Sequence, residues 1–530
     1  MTQATSSRVP VFRGARRGLA TGVALLGLSL VASSCSVANS GGESGGDSSG
    51  GAVEALTIVL PQEPPTLEPC DASLTSTGVV VRSNITEPMI ERDPASGELN
   101  PLLAESWEQT SPTEWTFTLR EGVTFSDGTP FDAEDAAHSI DRSVNSDLGC
   151  NIEGYVFGDV DYELATPDAT TLTVTSPEPD PILPLRLSFV EIVPTSTDDT
   201  DTVREPIGTG PYQIENWEVG QRLVLSRNES YWGDAPAYGE VEYQWRSEPS
   251  VRAAMVINGE ADIATGLGPE DGAGENTVLY PNNETTAIRM QATEPPLDDI
   301  RVRKAINYAI NREAIVGSLF GGDATVAAQL VPEGVVGHNT ELEPWPYDPA
   351  EAERLLAEAA ADGVDIGAPI LLVARTSLFP KVDETVQFVQ SALSDLGLNV
   401  QIEMVDTARS TEYQERPFVP EAGPYLNMLQ HGNQAGDAIF SMEQYLLSDG
   451  FQSSYGTPEL DAQIEAATEL TGEARQEALA EVFFQEPQTV AQYAYIAHMN
   501  GIIAVSEDVN YEPNSATGDE MRLAAMSPAS

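Results

Sequence analysis

The sequence predicts an α/β fold divided into two or three lobes, on three observations. "ETVQFVQSALSDLGLNVQIEMVD" runs a helical stripe (Val386, Val389, Leu393, Leu396) into Gly397 and then at once into a strand with Val400, Ile402 and Met404 on one face. Period-two strands alternate with capped helices from Ala55 onward, with no apolar run of membrane length among them. Roughly 480 residues follow the Gly/Ser stretch that ends near Gly51, more than one ordinary core accommodates.

At the N-terminus, Arg8, Arg13, Arg16 and Arg17 precede a run of small and apolar residues from Leu19 to Ala32, the layout of a signal peptide. The run is 14 residues long, short of the roughly 20 that span a bilayer. Ala32, Ser33 and Ser34 lead to Cys35. This junction resembles the bacterial lipobox, with Ala32 where leucine is usual, and implies that Cys35 becomes a lipidated N-terminus; the alternative is an ordinary signal peptide in which Cys35 has no role. Arg16-Arg17 hints at twin-arginine export, but Gly18-Leu19-Ala20 fits that pattern poorly and the general pathway is expected. Asn39 to Gly51 is Gly and Ser with Glu43 and Asp47, a flexible leash. "GESGG" and "GDSSG" inside it match the serine-hydrolase string G-x-S-x-G, which needs a strained strand-to-helix turn that such a leash lacks.

Further on, "WTFTLR" places Trp115, Phe117 and Leu119 on one strand face, and "TTLTVTS" (170–176) and "RLVLSRN" (222–228) repeat the pattern. Between the first two, Asp132 caps "FDAEDAAHSIDR" with acids in its first turn. In "DDIRVRKAINYAINREAIVGSLFGG", Val302, Ile306, Ala309, Ile310 and Leu319 trace one stripe, begun by Asp298 or Asp299 and stopped by Gly321-Gly322. "YDPAEAERLLAEAAADG" has Asp348 at the cap, Pro349 first in the helix and Glu351 three after the cap. A helix pair, "TPELDAQIEAATEL" and "EARQEALAEVFFQ", precedes the apolar "YAYIAHMNGIIAV" (493–505).

Net charge is −57, and removing the four arginines of residues 1–34 leaves −61. Nucleic acid and anionic headgroups are poor partners for such a surface; a cationic substrate is one reading, but 83 acidic residues spread along the chain are better read as a solubility coat. Of three cysteines, Cys70 and Cys150 are left after Cys35; they either form a disulfide in an oxidising compartment or are two separate buried thiols. His138, His338, His431 and His498 are isolated, and there is no H-E-x-x-H, C-x-x-C or phosphate-cradling loop. No catalytic residue, cofactor or metal is therefore assigned.

Six stretches together resemble one family, the extracellular solute-binding proteins of ABC importers in the dipeptide, oligopeptide and nickel class (family 5), here as an actinobacterial-style lipoprotein. They are "LAESWE" (103–108), "WTFTLREGVTFSDGTPFDAEDAAHSIDR" (115–142), "GTGPYQIENWEVGQRLVLSRNESYWGDAP" (208–236), "INGEADI" (257–263), "PPLDDIRVRKAINYAINREAIV" (295–316) and "YDPAEAERLLAEA" (347–359). The resemblance implies a periplasmic-binding-protein-like two-lobe fold of type II, cluster C. It implies a leader at 1–34, a lipidated Cys35 and linker at 35–54, and lobe one at 55–292 with an inserted subdomain at about 83–204. Lobe two then takes 293–496 and a return to lobe one 497–530, with crossovers near "AIRMQAT" and "YIAHMNG". The implied function is a monomeric receptor, anchored outside the cell membrane by its lipid, that captures a short peptide and delivers it to ABC permease and ATPase subunits. A non-peptide solute (sugar, opine, nickel chelate, haem) is the second reading, and a surface hydrolase or non-transport sensor the third.

Peptide receptors of the class hold the ligand's α-ammonium with an Asp, in a segment reading roughly G-W, a few residues, G-D-P. "HGNQAGDAIF" (431–440) occupies that place: Asp437 matches the aspartate, while Asn433 replaces the Trp and Ala438 the Pro. The alternative role for Asp437 is a cap on the helix that follows. Arg375, after the expected strand 370–374, matches the arginine that meets the peptide carboxylate, against a surface arginine balancing nearby acids. "SLTST" (73–77) resembles the N-terminal cleft loop and offers the Ser76 and Thr77 hydroxyls. Trp245 and Tyr425 are either wall aromatics or core.

Overall fold

A computed structural model describes residues 55–529 apart from 147, 151, 159, 273, 420–422 and 519. The leader, Cys35 and the linker lie outside the described residues. An eleven-stranded sheet organises the molecule, and its edge-to-edge order separates two halves. One half holds β1 (Ala55–Leu60), β6 (Tyr212–Glu218), β7 (Arg222–Arg227), β8 (Glu240–Trp245) and β9 (Ile263–Ala264). The other holds β11 (Ala324–Val326), β12 (Pro369–Arg375), β13 (Asn399–Val405) and β14 (Tyr425–Gly432). A separate four-stranded antiparallel sheet is built from β2 (Ala104–Ser111), β3 (Glu114–Leu119), β4 (Glu163–Asp168) and β5 (Thr171–Thr175).

Two long strands, β10 (Thr277–Met290) and β15 (Tyr493–Val505), carry the chain between the halves. They pair antiparallel from Thr277 opposite Ala504 to Arg289 opposite Tyr493, and the register slips between Pro281 and Glu284. A bulge there bends and twists the ribbon.

Helix ends follow the expected caps. In α1 (Ala133–Val144), Asp132 accepts from the Glu134 amide and Asp135 reaches back to the Asp132 amide. The stripe over 302–319 is two helices, α2 (Ile300–Ala309) and α3 (Arg312–Leu319), rather than one. Ile310 turns extended, and the Asn311 side chain accepts from the Ala314 amide to start a new helix. The break lets the buried Arg312 guanidinium donate to the Asn307 carbonyl at 2.8 Å and its side-chain oxygen at 2.7 Å. Beyond it, α4 (Pro349–Ala361) is capped by Asp348, α5 (Val382–Asp395) leads into β13 through Gly397, at φ 88°, and α6 (Thr407–Gln414) follows β13. That left-handed value explains a glycine at the turn.

One core cluster packs α2 to α5 on one face of β10, β12 and β14. Another joins the four-stranded sheet to residues 429–490, across the two halves.

Three buried glutamates give a pH prediction. Burial pushes Glu87 up to about 7 against hydrogen bonds from Trp232, Thr209 and Tyr231. Burial does the same to Glu191 and Glu486, each to about 7 from the ordinary 4.5. Carboxyls raised on folding bind more protons in the native than in the unfolded chain, so their contribution is complete below about pH 4.5 and lost as pH rises through 7. The denaturant midpoint is expected to fall between pH 5 and pH 8, with Glu486→Gln flattening the slope; a midpoint that rises over this window contradicts it.

Candidate ligand-binding site

The segment after β14 makes the site. The chain leaves Gly432, turns through Gly436 at φ 76° and enters α7 (Ala438–Tyr445). A Cβ on Gly436 would lie 2.3 Å from the Arg92 guanidinium, which also donates to the Gln434 carbonyl. Only glycine suits that combination of backbone and neighbour.

A cavity of about 620 Å³ opens beside this turn. Leu74 and the Gly154–Tyr155 stretch line it from one half; Glu415, His431, Gly432, Gln434, Gln444, Tyr445, Phe451 and Gln452 line it from the other. Pockets of roughly 300–1,000 Å³ with a few convergent polar groups take small ligands. Leu74 sits at φ 63°, a left-handed conformation that costs a non-glycine residue energy and clusters at ligand clamps. His431 is buried; its Nε2 is 2.7 Å from the Ser441 hydroxyl and its ring lies edge-on to Tyr445 at 4.5 Å. Burial pushes its pKa down to about 3 against an opposing contact from Asn433, so it is neutral at ordinary pH. Burial raises the Glu415 carboxyl above its usual range.

The two halves are in contact around this cavity. Phe440 of α7 is fully buried, stacked on Tyr155 at 6.2 Å and edge-on to Phe189 at 6.4 Å, with the Arg186 guanidinium 5.2 Å from its ring centre.

The residues expected to bind ligand are placed differently. Asp437 is turned inward: Arg475 Nε donates to Oδ2 at 2.8 Å and Nη2 to Oδ1 at 3.0 Å, and Oδ1 also accepts from the Ile439 amide at 2.9 Å. Both partners are buried, so the carboxylate expected to meet an ammonium is an ion-paired helix cap. Asn433 is buried and donates to the carbonyls of Asn283 and Leu330, at 3.0 and 3.2 Å. Tyr425 is core: fully buried, edge-on to Tyr413 at 5.2 Å and donating to the Tyr413 carbonyl. Trp245 ends β8, half-buried, outside the cavity lining. Ser76 is exposed and Thr77 donates to the Thr66 carbonyl; Leu74 is the member of that loop that reaches the cavity. Arg375 ends β12, half-buried, and likewise does not line it. Glu415, Tyr155, Gln444 and Phe451 carried no sequence signal that sets them apart, whereas Gln434 lies three residues before Asp437 in the segment already singled out. No group of three or more His, Cys, Asp or Glu side chains suited to a metal ion occurs among the described residues. Cys70 and Cys150 are joined as a disulfide.

Comparison with known proteins agrees with the fold. The glutathione-binding protein GsiB of Salmonella paratyphi A is 27% identical over 419 residues, 76% of this chain and 80% of that relative. The DppA binding protein of Helicobacter pylori, solved with peptide STSA, superposes with a TM-score of 0.75 at 18% identity, covering 89% of this chain and 98% of that one. NikA of Staphylococcus aureus, solved with Ni(L-His)2, gives 0.73 at 19% identity, covering 90% and 100%. The model of bacterial extracellular solute-binding proteins, family 5, middle region, matches residues 98–474. On that match the chain belongs to the family 5 extracellular solute-binding proteins, extracytoplasmic receptors that deliver solute to the permease and ATPase of an ABC importer.

Proposed function

We propose that this receptor captures short peptides and is held at the outer face of the cell membrane by lipid on Cys35. The observation that carries the ligand reading is the cavity of about 620 Å³ between Leu74 and Tyr155 on one side and Glu415, His431, Gln434 and Tyr445 on the other. Its size and its mixture of amides, aromatics and one carboxylate suit a few residues of peptide backbone and side chain. The relatives support the same class, since one was solved with a peptide and others bear the name of a tripeptide-binding protein.

In this reading lobe one comprises 55–292, with its inserted subdomain at about 83–204, and 497–530; lobe two comprises 293–496. β10 and β15 are the hinge, and solute favours the closed arrangement in which Phe440 is buried against Tyr155. The protein works as a monomer, tethered by 35–54 so that its effective concentration at the permease stays high. Asp437 holds α7 in place, and the ligand contacts pass to Glu415, Gln434 and Gln444.

The test is denaturing extraction of the purified protein followed by mass spectrometry of whatever small molecule is released, with peptides of a few residues expected. Recovery of a sugar or a metal chelate overturns the peptide reading. Cys35→Ser is expected to move the chain from the detergent phase to the aqueous phase on partitioning; unchanged partitioning overturns the lipid anchor.

A further inference from the structure

We propose that the cleft selects solutes of net positive charge, held by the Glu415 carboxylate beside the exposed ring of Phe451. This deepens the reading of the cavity as the solute site and rests on it. Among the described residues Glu415 is the only carboxylate lining the cavity, and no Lys or Arg lines it. His431, the remaining ionisable nitrogen there, is buried and neutral at ordinary pH.

The Glu415 side chain is half-buried at the end of a helix whose last turn takes only its backbone amide. Its oxygens make no hydrogen bond or ion pair among the described residues, although the neighbouring Arg416 is close in sequence. That guanidinium is committed to the carbonyls of Ser453 and Ser448, at 2.8 and 2.7 Å. A carboxylate withdrawn from water without a partner is unfavourable, and an incoming cation relieves that cost with a charge-assisted hydrogen bond.

The aromatic groups point the same way. Phe451 is 47% exposed at the cavity, and Tyr155 and Tyr445 add two further aromatic side chains to its lining. Ring faces attract ammonium and guanidinium groups and give nothing to a carboxylate. Gln434, Gln444 and Gln452 supply neutral donors and acceptors. At longer range the chain carries −57 with only two lysines, Lys304 and Lys381, so its field draws cations toward the cleft and repels anions. Glutathione, with two carboxylates against one ammonium, is therefore a poor solute for this cleft although relatives carry its name.

The test is titration calorimetry of the purified full chain, freed of co-purified solute, against tripeptides of equal length. One is amidated with a central lysine, one is a neutral zwitterion, one is N-acetylated with two glutamates, and glutathione, a diamine and a dicarboxylate complete the panel. The lysine peptide is expected to bind at least about tenfold more tightly than the acidic peptide and glutathione, the worth of one charged hydrogen bond. Glu415→Gln is expected to remove most of that advantage, with an unchanged urea midpoint showing that the variant is folded. Equal or tighter binding of the acidic peptide or glutathione overturns the inference, as does a preference that survives Glu415→Gln. If no peptide binds, the peptide reading falls by itself: the diamine binding above the dicarboxylate still supports the charge inference, and any other order, or no binding of either, overturns it.

Discussion

Asp437→Ala is expected to lower stability by about 3–5 kcal/mol, the cost of leaving one member of a buried ion pair without its partner. Arg475, whose side chain is 4% exposed, would have no carboxylate to meet its fork, and α7 would lose the side chain that caps its first turn. Arg475→Ala should cost a similar amount, since it strands the buried Asp437 carboxylate without its cation. The double variant should be less damaged than the two losses added together, because once both charges are gone nothing is left buried and unpaired. Urea denaturation of the four proteins measures this. Solute affinity under folding conditions separates the two roles that the aspartate could have. A structural aspartate leaves the dissociation constant within about threefold once the protein is folded. If affinity collapsed while the midpoint stayed put, Asp437 would be the ammonium partner after all and the observed ion pair would have to open on ligand binding.

This case also shows what the sequence carries and what it withholds. The segment 431–440 is legible as far as its helix cap, because Asp437 ahead of an apolar helical run leaves a strong local signal, and that cap appears where expected. Which of its side chains turns outward depends on Arg475, thirty-eight residues away in sequence, and no local pattern reports such a partner. The same division runs through the molecule. Asp132, Asp348 and Gly397 act within a turn of their own position and were readable there. The break at Ile310–Asn311 was masked because the apolar stripe continues across it; the buried Arg312, donating to the Tyr495 carbonyl, shows why the helix restarts. Glu415 was unreadable for a further reason, since one carboxylate among 83 acidic residues stands out only when the fold shows which one lines a cavity.

Loss of the Cys70–Cys150 bridge is expected to cost up to about 4.5 kcal/mol, the chain-entropy value for a loop of 80 residues. The bridge stabilises mainly by restricting the unfolded chain, so the native structure should survive its removal. A second tie at the same place makes that survival plausible on geometric grounds. Glu68, two residues before Cys70, is fully buried and accepts from Arg142 of α1 at 2.5 and 3.0 Å and from the Val203 amide at 2.7 Å. The turn carrying Cys70 thus stays fastened to α1 when the sulfurs are replaced. Cys70→Ser with Cys150→Ser, and the wild type under reductant, should show the same lowered urea midpoint with an unchanged circular dichroism spectrum. The two ties can also be told apart by mechanism. If the disulfide acts on the unfolded ensemble and Glu68 on the folded one, the cost of Glu68→Gln should be equal with and without the bridge. A much larger cost in the bridge-free protein would mean that the disulfide holds the native turn itself, and a wild type indifferent to reductant would mean that the bridge adds nothing to stability.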